Sequence, residues 1–150
     1  RDDVDEGRIA ILGDGAGSSF VARGVALDNR FGAVVCDGGL WDMHEHAFLM
    51  NRLSWDGAAS KAIASKAIEG AWPGRRFHCP VLITVGGQGW LKSGVVTDLF
   101  ERLKAYHPDI SLKIFESSET AAAQGHYDNP TLANEFIFDW VADRLESVSA

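Results

Sequence analysis

The chain has 150 residues, 46% of them apolar, which is enough for one domain with a sizeable core and too many for a disordered segment. Its net charge is −7 and its 14 lysines and arginines are scattered, which argues against nucleic acid or an anionic membrane as partner. No apolar run approaches about 18 residues, and neither a signal-peptide pattern nor an internal repeat is visible.

The opening residues, Arg1 to Arg8, are polar and read as a connector from an earlier segment. Ile9 to Leu12 is a short apolar run that meets glycines at 13, 15 and 17, and an amphipathic stretch follows from Ser18 to about Leu27. That pattern predicts strand, sharp turn and helix. The glycine spacing is that of the Gly-x-Ser-x-Gly elbow, a strained turn that lifts its central side chain above a sheet. Here the central residue is Gly15, so the turn is expected without its nucleophile. A dinucleotide loop fits less well, because its third glycine comes one residue later, and no Gly-Lys-Ser/Thr follows to make a phosphate loop. In the helix, Phe20, Val21, Val25 and Leu27 are expected to form the apolar face.

Ala33 to Cys36 predicts a second buried strand, closed by Asp37-Gly38-Gly39. Strand, helix and strand in about 30 residues make a parallel βαβ unit. Leu40 to Phe77 differs in character: Trp41, Trp55 and Trp72 lie there with Phe48, His44 and His46, and Ala58 to Ala71 is alanine-rich and helical in pattern. A long aromatic excursion between two strands reads as a lid over residues 40–78, with an ordinary packed helical insertion as the alternative. Two histidines at i and i+2 do not share a helix face, and no third ligand set accompanies them. Neither a metal nor any other cofactor is expected.

Cys79 to Val85 predicts a third strand, ending in Gly86-Gly87-Gln88-Gly89-Trp90. Ser93 to Tyr106 is an amphipathic helix with Leu99, Leu103 and Tyr106 on its apolar side, stopped by His107-Pro108. Ser111 to Phe115 alternates as a fourth strand, and Glu116 to Asn129 is a loop containing Gly125-His126-Tyr127-Asp128. Pro130 opens a last helix through about Leu145, with Phe136, Ile137, Trp140, Val141 and Leu145 as its stripe. Cys36 and Cys79 sit in apolar strand contexts and read as buried free thiols, in keeping with a cytoplasmic protein.

The expected fold class is therefore α/β, a mostly parallel sheet with flanking helices and a helical lid insertion. In this order the pattern resembles the C-terminal half of an α/β-hydrolase over nearly all 150 residues. It looks most similar to the branch that includes dihydroxypseudooxynicotine hydrolase and the fungal pigment-shortening hydrolases. The residues that carry the resemblance are Val4, Asp5, Arg8 and Ile9, then Asp37-Gly38-Gly39, then Asp128-Asn129 and Ile137-Phe138-Asp139-Trp140.

The resemblance implies a nucleophile, a base and an orienting acid. The nucleophile position falls on Gly15. The acid position falls on Gln88 or Gly89, neither acidic. The base position falls on Gln124 by the Asp128-Asn129 landmark, or on His126 if one residue of slack is allowed. Among substitutes, Asp14 flanks the elbow tip. Asp37, at the end of the second strand, stands where some relatives carry their acid. An Asp37–His126 pair could act as a general base without a covalent intermediate. The bland alternative makes Asp37 a turn cap and His126 a surface histidine. Trp41, His44 and Trp90 are the candidate substrate contacts.

Three functions follow from this resemblance. One is a degenerate hydrolase that binds a small apolar molecule or does non-covalent acid/base chemistry on it. Another is an active hydrolase of esters or activated carbon–carbon bonds. The last is a non-catalytic interaction subunit. The family's sheet continues before the elbow strand, so Arg8–Leu12 is expected to pair with a second polypeptide, either an N-terminal fragment or a second copy.

Overall fold

A computed structural model describes residues 3–15, 17–38, 77–89 and 93–147. All of these belong to one compact unit. Of the expected lid, only residues 77 and 78 fall among them; Trp41, His44 and Trp90 lie outside the described residues.

Four strands form one sheet in the order β1 (Ala10–Asp14), β2 (Ala33–Asp37), β3 (Val81–Gly86), β4 (Ile110–Phe115). Every neighbouring pair is parallel, with Leu12 opposite Val35, Cys36 opposite Ile83 and Thr84 opposite Lys113. The two central strands are almost wholly buried, whereas β1 and β4 are half-buried along most of their length. This is why Ala33–Cys36 and Val81–Val85 read as continuous apolar runs: a parallel strand covered on both faces has no solvent side to mark with alternation.

Among the described residues the helices are α1 (Gly17–Val25), α2 (Ser93–Lys104) and α3 (Pro130–Ser147), with a short 3-10 turn at Gln124–His126. Successive side chains of a strand point to opposite faces, and β2 shows the consequence. Cys36 turns its thiol to the Ser18 carbonyl of α1, while Val35 clusters with Leu82 and with Ile137 of α3. Helices α1 and α3 therefore cover opposite faces of the sheet. Asn129 caps α3 by accepting the Leu132 amide at 3.1 Å, and Pro130 takes the first helical position, where no amide is needed. Ala133, Ile137, Trp140 and Val141, spaced for one helix face, then pack on the sheet side.

Three expected helix faces need correction. In α1 the buried residues are Ser18, Ser19, Ala22 and Val25, while Phe20 and Leu27 are 67% and 72% exposed. The small side chains face the sheet because the helix starts hard against the end of β1: a Cβ on Gly13 would lie 2.5 Å from the Gly17 carbonyl carbon. Bulk at the sheet-facing positions would push the helix away. Tyr106 lies beyond the end of α2 and is exposed, leaving Val96 and Leu99 buried there. Phe136 sits at the exposed margin of α3, with Ala133 in the buried place.

Candidate functional site

The carboxyl ends of β1, β2 and β3 and the loop after β4 converge on one place, where a parallel α/β sheet offers a crevice. Gly15 has φ +54, the left-handed region that glycine enters without a Cβ penalty, and no atom of the described residues lies within 4 Å of where its Cβ would stand. Its amide donates to the Asp37 carbonyl at 2.8 Å. The Ser18 hydroxyl reaches back to the same carbonyl at 2.7 Å and to that of Gly13 at 2.9 Å. Ser18 therefore clamps the elbow to the end of β2 and does not face the crevice. Asp14 ends β1 as the register partner of Asp37 and is exposed.

Gln124 lies across the top of the sheet. A Cβ on Gly89 would be 2.6 Å from its Oε1, and a Cβ on Gly38 would be 3.8 Å from its Nε2 and 3.2 Å from the Gly15 Cα. Gly15 and Gln124 thus both border Gly38, and Gly89 lies against Gln124. Gln88 points elsewhere, donating to the Ser117 hydroxyl at 2.7 Å.

His126 lies behind this row and is 2% exposed, not a surface loop residue. Its Nε2 is 2.8 Å from Asp37 Oδ1, and its Nδ1 is 2.6 Å from the Ala121 carbonyl. Asp37 Oδ1 also accepts the hydroxyl of Thr84 at 2.7 Å. The Phe115 ring meets the imidazole edge-on with centroids 4.8 Å apart. Burial pulls the His126 pKa down, but the Asp37 hydrogen bond, the Ala121 carbonyl and the charges of Asp37 and Asp128 outweigh it, and the value is raised above that of an ordinary histidine. Both ring nitrogens are occupied, so neither is directed at Gly15.

Thr84 and Ser18 were missing from the sequence candidates. Thr84 had a signal: it is a lone hydroxyl in a fully buried strand, and such a group needs a partner. The loop that carries Gln124 and His126 is unusual in its backbone, with positive φ at Thr120, Ala121, Gly125 and His126. Three of those are not glycine, and such clusters mark segments held in place by their surroundings.

Among the described residues, no group of three histidine, cysteine or carboxylate side chains is placed to hold a metal ion. No helix among them is long and apolar enough to cross a membrane. Two grooves lie at the opposite end of the strands. One, of about 390 Å³, is lined by Val4, Glu6, Ile9 and Arg30; the other, of about 370 Å³, includes His78, Cys79 and Pro80. Neither touches the converging residues.

The chain is similar in structure to the Pyrococcus furiosus esterase Pf2001 in three crystal forms. The TM-scores are 0.61, 0.58 and 0.57 at 15%, 15% and 18% identity, and 93% of this chain is covered each time. The chain spans about half the length of those structures, 52% to 54%. No family model and no curated protein matches the sequence. The fold is α/β, like that of these esterase structures.

Proposed function

We propose that this is a hydrolase-fold protein with a degenerate triad that binds a small, largely apolar molecule at the carboxyl end of its sheet. The observation that carries the reading is that Gly15 and Gln124 both border Gly38, with Gly89 against Gln124. An elbow without a nucleophile, an acid position without an acid and a base position holding an amide leave no serine-type relay. The Gln124 amide can donate to and accept from a carbonyl or amide group of a ligand. The branch resemblance, through Asp37-Gly38-Gly39 and Asp128-Asn129, belongs to this same reading.

The test pairs hydrolysis with binding. The protein should leave 4-nitrophenyl butyrate unhydrolysed above background. It should bind the stable analogue N-(4-nitrophenyl)butanamide saturably, with NMR shifts at the Gly15, Gly38 and Gln124 amides. Hydrolysis that disappears in Asp14→Ala or His126→Ala overturns the reading in favour of an active esterase. Absence of saturable binding across a panel of apolar esters and amides favours an interaction subunit.

The pairing of Arg8–Leu12 with a second polypeptide is part of the proposal. Its support is that β1 pairs with β2 alone among the described residues and that Leu12 is 43% exposed. A sheet edge of this kind offers a row of backbone groups to another strand. Native mass spectrometry should find a second chain or a second copy; a bare monomer counts against the pairing.

A further inference from the structure

We propose that His126 is a positioning residue: held between Asp37 and the Ala121 carbonyl as a doubly protonated imidazolium, it latches the 120–126 loop and keeps Gln124 against Gly38 and Gly89, so that raising the pH releases the loop.

A neutral imidazole has one N–H and one lone pair, whereas its cation has two N–H groups. A backbone carbonyl can only accept, and an ionised carboxylate can only accept. Both nitrogens of His126 face such oxygens, at 2.6 and 2.8 Å. A neutral ring would set a lone pair against an oxygen on one side. Moving the proton to Asp37 is the only other way to satisfy both contacts, and an ordinary aspartate is a much weaker base than an ordinary histidine. Asp37 Oδ1 already accepts the Thr84 hydroxyl at 2.7 Å.

The charged surroundings are favourable to a cation. Asp37 faces the ring from β2, and Asp128 lies just after it in the chain. Asp14, on β1, is the register partner of Asp37. From β4 comes the Phe115 ring, with Lys113 above it already paired to Glu119 at 2.6 Å. Helix α3 contributes the apolar Ala133 on the Phe115 side.

The loop needs such a latch. Thr120, Ala121 and His126 hold φ of 65°, 53° and 56°, each disfavoured for a residue with a Cβ. The other ties run to the loop's own far end: Asp128 accepts the Ala122 and Ala123 amides, and Asn129 Nδ2 donates to Thr120 Oγ1. Across to the sheet, the Gln88 amide donates to the Ala122 carbonyl at 2.8 Å, and the His126–Asp37 pair makes the charged link. Taking the proton from His126 removes one of these links and leaves two oxygens facing a ring with one donor.

The consequence for ligand binding rests on the reading of Gln124 given above; the latch itself does not. The experiment uses the whole chain with ¹⁵N-labelled histidine and ¹³C-methyl alanine, since Ala121, Ala122 and Ala123 are three consecutive reporters on the loop. Both nitrogens of His126 should show protonated shifts at pH 7. The ring should titrate above an ordinary histidine, and the three alanine methyls should move with the same midpoint. Asp37→Asn should lower that midpoint, and His126→Gln should abolish the transition while the protein stays folded. A purely structural role predicts neither effect. A neutral His126 tautomer at pH 7, or alanine methyls indifferent to its titration, overturns the proposal. Binding of N-(4-nitrophenyl)butanamide should weaken with the same midpoint. If the ring and methyls titrate together but the probe binds at no pH, the latch stands and the ligand reading of Gln124 falls.

Discussion

Replacing Gly86 by alanine is the sharpest test of how the loop after β4 seats on the sheet. An added methyl would lie 2.5 Å from the Ala122 carbonyl oxygen, 2.8 Å from its carbon, and closer still to the Ala123 oxygen. These are backbone atoms, so no side-chain rotation relieves the contact, and the 121–123 segment must shift by roughly an ångström to reach ordinary contact distance. Overpacking of this kind costs about 1–3 kcal/mol. The shift also breaks the Gln88 amide to Ala122 carbonyl bond, worth about 1 kcal/mol. The expected loss is about 2–4 kcal/mol, read by urea unfolding. Two controls calibrate it. Gly15→Ala meets no atom within 4 Å and suffers only from its positive φ, at about 1–2 kcal/mol. Gly24→Ala, in open space inside α1, should gain about 0.5–1 kcal/mol. If Gly86→Ala is no worse than Gly15→Ala, the loop does not rest on the end of β3 and the site geometry built on that contact is wrong.

Stability should depend on pH with opposite signs at the two ends of the loop. His126 has a folded pKa above its unfolded one, so its contribution is complete below about pH 6.5 and is lost as the pH rises through the folded value. Burial pushes Asp128 up, but the amides of Ala123 and Ala122, among others, hold its carboxyl below the usual range. Its contribution is present above that range and lost as the pH falls through the folded value. Urea midpoints across pH should show both limbs, and His126→Gln should flatten the alkaline one alone. Thr84→Val, close in shape, removes a buried donor to a charged acceptor and should cost about 1.5–3 kcal/mol in the same assay; a neutral result would mean that Asp37 does not depend on that hydroxyl. The thiols of Cys36 and Cys79 are both buried, and burial pushes their pKa values up, that of Cys79 to about 11. Neither should react with a thiol reagent at pH 8 until the protein is unfolded; rapid labelling of the native chain would contradict the packing of β2 and of the start of β3.

The sheet was legible in the sequence because a parallel strand buried on both faces leaves an unbroken apolar run. Val34, Val35 and Cys36 lie in such a run, and all are fully buried. What failed was the inference from size to burial on the helices. Hydrophobic bulk marked Phe20 and Leu27 as the inner face of α1, but inner faces are set by how closely a helix must approach, and here Ser18 and Ser19 pack inward instead. Ser18 tolerates burial because two carbonyls accept its hydroxyl, a fact fixed by the turn geometry and absent from any periodicity. The Asp37–His126 contact spans 89 residues. The residue types suggested it, but only the fold shows that the second ring nitrogen is also taken, by the Ala121 carbonyl.

The candidate site shows why a triad read position by position is misleading. Gly89 and Gln124 are not independent departures from a pattern. Any side chain at 89 would begin 2.6 Å from Gln124 Oε1, so an aspartate there and Gln124 in this conformation exclude each other. An amide folded over residue 89 favours glycine beneath it. The carboxylate that remains, Asp37, is already turned to His126. A hydroxyl introduced by Gly15→Ser, where no atom of the described residues lies within 4 Å of the added Cβ, therefore finds no free base in His126, both of whose nitrogens already face oxygens. Serine-type activity should need changes at 15, 89 and 124 together, and the single change should leave hydrolysis of 4-nitrophenyl butyrate at background. Appreciable turnover by Gly15→Ser alone would mean that His126 can leave Asp37 and the Ala121 carbonyl, against everything its two short contacts imply.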